Sequence, residues 1–181
     1  MTSKVKLIES VVPWARAMVL MRARACTIAE QLDMSKSDAR RMWLEEHGKS
    51  SPSGLQPSDL SWYLKTPERR FQGAILLQIA HLSAQSLPLK VSFTHAYYHF
   101  ARLTAGEYKM GSQGDDPAFR PTERDYTIPY SRGFYLYQIY SDDKLNSGQR
   151  KCSLIIRSCR VCKSKYLSSV DEANSKCPSC S

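Results

Sequence analysis

Apolar side chains recur at three- and four-residue spacing from Trp14 to Cys26. Trp14, Ala17, Met18, Met21 and Ala25 share one face, and Arg16, Arg22 and Arg24 fall elsewhere on the wheel. The period predicts an amphipathic helix, with Cys26 inside it as a small buried hydrophobe. The next stretch, about 27–47, fits a helix-turn-helix. Ile28, Ala29 and Leu32 form the inner face of a short first helix. Ala29 is small where the second helix crosses. Asp33 takes the turn position, which often needs positive φ. Met34 tucks back into the core, and Ser35 is a good N-cap. Ala39, Met42 and Trp43 form the inner face of the second helix, leaving Lys36, Ser37, Arg40 and Arg41 outside, near its start. Gly48 stops that helix, and a Pro/Ser/Gly loop follows to Pro57. Thr66-Pro67-Glu68 opens another helix. Its residues Phe71, Ala74, Ile75, Leu76, Leu77, Ile79, Ala80 and Leu82 are apolar nearly all round, which predicts burial on most sides. A further helix is expected from Phe93 to Ala105. Residues 106–125 read as a long loop.

The chain has 181 residues, 42% of them hydrophobic and 24% charged, which fits a folded domain with a small appendage. A helical body over 1–145 and a distinct element over 146–181 are expected. No stretch is long and apolar enough for a membrane span, and Glu9 and Arg16 break any secretory h-region. A cytoplasmic location is expected. The formal charge of +9 is uneven: residues 144–181 carry eight basic and two acidic side chains. Arg150, Lys151, Arg157, Arg160, Lys163 and Lys165 lie in this tail. Such a bias points to a polyanion, most simply nucleic acid, or to a solvated basic surface.

The strongest local pattern is Cys159-x-x-Cys162, fourteen residues, then Cys177-x-x-Cys180. Each two-residue gap lets one tight turn present two sulfurs to an ion, and two turns close a tetrahedron. Four thiolates leave no open position. One structural Zn²⁺ per chain is therefore expected, stapling a segment too small to hold a core of its own. Paired dithiols are the other reading. Cys152 has no partner at ligand spacing.

Other features are weaker. His95 and His99 stand four apart but lack the glutamate of a zinc-protease motif, so a hydrogen-bonded or solvated pair is expected. The adjacent pairs Asp115-Asp116 and Asp142-Asp143 diverge in direction and make poor acid/base couples. The run from Tyr126 to Tyr140 carries five tyrosines and one phenylalanine. These rings fit base stacking, a core or an interface. No phosphate cradle or nucleophile motif appears, and nothing argues for catalysis or a small-molecule substrate.

The order of parts is informative: helix, helix-turn-helix, Pro/Ser/Gly loop, buried helices, Cys₄ knuckles. It resembles the FlhC family, the DNA-binding subunits of the bacterial flagellar master activator, and their relatives on mobile elements. Arg22-Ala-Arg24 stands in place of the family's Gly-Ala-Arg. Ser35 to Gly48 resembles its second helix. Pro52, Gly54, Pro57 and Trp62-Tyr63 look like its Pro-x-Gly-x-x-Pro-x-x-x-x-Trp-aromatic stretch, and the four cysteines match its zinc ligands. The likeness is good over about 14–83, rests on the cysteines over 150–180, and is faint between 104 and 145. One residue follows Cys180 where flagellar members carry a basic tail, and the loop at 106–125 looks longer. Both features favour the SetC/AcaC-type activators of conjugative transfer. The resemblance implies a mainly α fold with a zinc-bearing C-terminus. It also implies a hetero-oligomer with a small FlhD-like helical subunit, binding to double-stranded promoter DNA, and recruitment of RNA polymerase. Two other functions compete: a zinc-knuckle adaptor that binds only protein, and a nucleic-acid-processing enzyme with a structural zinc.

Overall fold

The computed structural model describes residues 2–54, 57–104, 128–145, 153–172 and 176–180. The loop expected at 106–125, together with Arg150, Lys151 and Cys152, lies outside these residues. The architecture is mainly helical: α1 (Thr2–Leu20), α2 (Ala25–Leu32), α3 (Lys36–His47), a 3₁₀ turn (Ser61–Leu64), α4 (Pro67–Ser86), α5 (Leu89–Thr104) and α6 (Tyr130–Leu145). The hairpin β1 (Leu154–Ser158) and β2 (Lys165–Ser169) follows, antiparallel, with Ile156 opposite Leu167. Among the described residues no helix is long and apolar enough to cross a membrane.

The single helix expected over Trp14–Cys26 is two helices. Arg22 adopts φ +59°. The Arg22 and Ala23 N–H groups donate to the Val19 and Met18 carbonyls, a Schellman closure with arginine where glycine is usual. The break shifts the phase of the wheel. Ala25, Ile28, Ala29 and Leu32 then turn inward, and Cys26 is exposed instead of buried.

The α2–α3 turn uses the same device. Asp33 sits at φ +55°, and both it and Met34 donate backbone N–H groups to the Ala29 carbonyl. The Ser35 hydroxyl accepts from the Asp38 N–H and donates to the Asp38 carboxylate, capping α3. Ala39 and Trp43 are buried, and Gly48 at φ +65° ends the helix.

Residues of all six helices and both strands join one core. A closed ring of hydrogen bonds fastens the α2–α3 pair to it. Gln31 Nε2 donates to Thr94 Oγ1, Thr94 to the Tyr130 hydroxyl, and Tyr130 to Gln31 Oε1, at 2.9 Å in each case. Every hydroxyl there uses its single proton, so the buried site is satisfied. Burial pushes the Tyr130 hydroxyl pKa up, against the pull of its two hydrogen bonds, so it stays neutral. Tyr130, Phe134 and Leu136 are buried, which makes this part of the tyrosine run core. Helix α4 is less enclosed than its composition implies: Ile75 and Leu82 are 39% and 63% exposed. They stand seven residues apart, two turns along one face that α5, α6 and the hairpin leave uncovered.

Candidate metal centre and basic surface

The C-terminal hairpin is docked on α4. Leu167 belongs to the main core, and Tyr166 packs with Phe71, Cys159, Cys177 and Cys180. Arg70 Nε donates to the Leu167 carbonyl at 2.8 Å. Its guanidinium also pairs with the Glu172 carboxylate, which accepts the Ser168 hydroxyl as well. Burial raises the Glu172 pKa, but the Ser168 and Arg70 contacts outweigh it and leave the carboxyl below its ordinary range.

The hairpin positions the cysteines. Its connecting turn closes through Lys163 N–H donating to the Cys159 carbonyl at 3.0 Å, with Lys163 at φ +64°. A second turn closes through Cys180 N–H donating to the Cys177 carbonyl at 3.0 Å. The four sulfurs of Cys159, Cys162, Cys177 and Cys180 all lie within 4.8 Å of one another, with Cys162 and Cys177 at 3.6 Å. An ion with ~2.3 Å bonds to sulfur needs tetrahedral S–S separations of ~3.8 Å. The cluster can therefore hold a metal ion.

Its electrostatics favour a cation. The Cys162 N–H donates to the Cys159 sulfur and, with the Cys177 and Val161 N–H groups, brings that thiol down to about 6 against the push of burial. The Ser164 hydroxyl and N–H lower Cys162. Cys180 is pushed up to about 12 by the Cys177 and Cys162 sulfurs beside it. Sulfurs this close cannot all ionise alone, and a divalent cation removes the conflict.

Lys36, Ser37, Arg40 and Arg41 are exposed at the start of α3. Arg41 is held by Asp38 at 3.0 Å and Glu45 at 3.9 Å, whereas Arg40 makes no ion pair among the described residues. In the tail, Arg160, Lys163 and Lys165 are exposed around the first cysteine turn. Arg157 is different: it is half-buried, and its Nη2 donates to the Val170 carbonyl at 3.3 Å. His95 and His99 pair through their Nε2 atoms at 3.2 Å, and His95 Nδ1 meets the Ser83 hydroxyl at 3.1 Å. Burial and the neighbouring His95 and Arg102 lower the His99 pKa, and the two rings form a hydrogen-bonded pair.

A basic cavity escaped the sequence reading because its walls come from separate segments. Residues between α1 and α2, the end of α3, Lys49 and the start of α6 enclose about 500 Å³. The pair Arg22 and Arg24 was its only local signal.

No family model matches this chain, and no curated protein matches it.

Proposed function

We propose that this chain is the DNA-binding subunit of an FlhC-like, hetero-oligomeric bacterial transcription activator with Zn²⁺ in its Cys₄ cluster. The observation that carries this reading is the start of α3. Lys36, Ser37, Arg40 and Arg41 are exposed on a Ser35-capped helix whose other face is fixed by Ala39 and Trp43. A rigid helix with exposed basic residues in its first turns suits a major groove. The cations at the first cysteine turn suit phosphates. The left-handed Arg22, at the family's glycine position, also supports the resemblance. The exposed apolar residues Ile75, Leu82 and Leu103 support a protein partner, which the resemblance makes a small FlhD-like subunit. On this reading the complex binds upstream of conjugative-transfer or flagellar promoters and recruits RNA polymerase.

The test is co-expression with a small helical subunit encoded beside it, followed by gel shift on candidate promoters over a salt series. Duplex binding whose logarithm falls linearly with log salt is expected. Formation of the complex without any duplex binding at low salt overturns the reading in favour of the adaptor.

A further inference from the structure

The four cluster sulfurs do not face solvent equally. Cys159 and Cys177 are buried, at 1% and 0% exposure, and pack with the half-buried Cys180 against Tyr166 and Phe71. The Cys159 sulfur also accepts the Cys177 N–H at 3.3 Å. Cys162 stands outside that apolar cluster. It lies in the turn from Arg160 to Lys165, where every residue is exposed. An oxidant arriving from solvent therefore meets the Cys162 sulfur first. Access, together with thiolate character, selects which cysteine reacts, and buried cysteines are inert. A bound Zn²⁺ leaves the sulfurs as the source of electrons, because the ion has no redox chemistry of its own.

A second sulfur is in place to resolve the oxidised one. Cys177 belongs to the other cysteine turn, and its sulfur stands 3.6 Å from that of Cys162. An exposed cysteine with a resolving cysteine beside it is the arrangement of a peroxide-sensitive site. We propose that peroxide oxidises Cys162 and that the oxidised sulfur closes a disulfide with Cys177. In the first step the Cys162 sulfur attacks hydrogen peroxide, the O–O bond breaks, and a sulfenic acid and hydroxide form. In the second the Cys177 thiolate attacks that sulfur and displaces a second hydroxide. The two sulfurs lose two electrons together, and the peroxide gains them. The disulfide joins the same two turns that an ion in the cluster ties together. Leu167 and Arg70 hold the strands on α4 independently of both, so the oxidised hairpin stays docked. Two of four ligands are consumed, so the ion leaves. Its expulsion rests on the proposed zinc, and the cross-link does not.

The experiment exposes the full-length, zinc-loaded chain to hydrogen peroxide. A Cys26→Ser background removes the other exposed thiol among the described residues. Zinc content is measured first, which tests the zinc reading apart from the oxidation. A peptide map without reductant should then show one Cys162–Cys177 disulfide per chain. A chromophoric chelator should record one zinc released per disulfide, and a dithiol with added zinc should reverse both. Cys177→Ser removes the resolving sulfur, so a sulfenic-acid trap should label Cys162 before Cys159 or Cys180. Cys162→Ser should form no disulfide at the same dose. Both variants are read by peptide map, so loss of metal from them does not obscure the result. No zinc at the outset together with the Cys162–Cys177 cross-link defeats the zinc reading and supports the inference. A main disulfide within one turn, Cys159–Cys162 or Cys177–Cys180, overturns it. First labelling at Cys159 or Cys180 overturns it as well, as does a chain whose four cluster cysteines all stay reduced.

Discussion

Gly73 of α4 faces Leu167 of β2 so closely that an added Cβ would stand 2.3 Å from the leucine Cδ1. The hairpin seats on α4 because that position has no side chain. On an exposed helix, glycine to alanine stabilises by ~1 kcal/mol. Here Leu167 is fully buried and cannot swing away without displacing core neighbours. Gly73→Ala should instead cost about 1–3 kcal/mol, the scale of core overpacking. Urea unfolding of the metal-loaded protein measures this. A gain in stability would mean that the hairpin does not sit there.

The ring formed by Gln31, Thr94 and Tyr130 makes a second prediction. Tyr130→Phe keeps the packing but removes one hydroxyl from a site where all three side chains are buried. Gln31 Oε1 then loses the Tyr130 donor. A loss of about 1–3 kcal/mol is expected. The cost should fall when Gln31→Leu is combined with it, because the acceptor that the Tyr130 hydroxyl serves is then gone. Additive losses in the double variant would contradict the ring.

Metal content supplies the third. On the proposed reading, elemental analysis should give one zinc per chain, and Cys177→Ser should lose the metal and loosen the two cysteine turns that the ion ties together, while Leu167 and Arg70 keep the strands on α4. Full zinc retention in that variant would show that the ligand set is wrong. Acid should act in the same direction. The Cys159 thiol is already ionised near neutrality, whereas Cys180 must give up a proton to bind. Protons therefore compete with the ion, and retention should decline as pH falls.

What was legible in the sequence was local. Asp33, Ser35, Gly48 and Thr66 announce their turns and caps through their own chemistry, and the Cys-x-x-Cys pairs announce theirs by spacing. The break at Arg22 was hidden because arginine occupies a left-handed position that glycine would have advertised. Cys26 was misplaced for the same reason. Composition made α4 look enclosed, but the open face at Ile75 and Leu82 depends on where its neighbours stop. The basic cavity and the Arg70–Glu172 link join residues far apart in the chain, and no periodicity reports such pairs.

That Arg70–Glu172 link should be visible in acid. A carboxyl held below its ordinary range in the folded state stabilises the fold above that range. The contribution is lost as pH falls from the unfolded value of 4.5 through the lower folded one. The stability advantage of wild type over Glu172→Gln should therefore be steady at neutral pH and shrink across that window. An advantage constant down to pH ~3 would mean the carboxylate is not held by Arg70 and Ser168.

The last prediction concerns the two arginines on α3. Both are exposed, but they are not equivalent. Arg41 is engaged by Asp38 and Glu45 on its own helix, and Arg40 is free of such pairs among the described residues. Exposed pairs of this kind contribute little, so DNA can break them. Even so, Arg40 starts uncommitted, and a guanidinium in this part of a recognition helix can bond guanine O6 and N7 together. On the proposed DNA reading, Arg40→Ala should cost about 1–3 kcal/mol on the cognate site and far less on random duplex. Arg41→Ala should cost less on the cognate site. Lys163→Ala and Lys165→Ala should weaken binding to every duplex alike and flatten the salt slope by about one unit per lost contact. Competition between cognate and random duplex separates these effects. If both arginine variants keep the specificity ratio while the lysine variants lower it, the cysteine hairpin reads the bases and the α2–α3 pair serves packing.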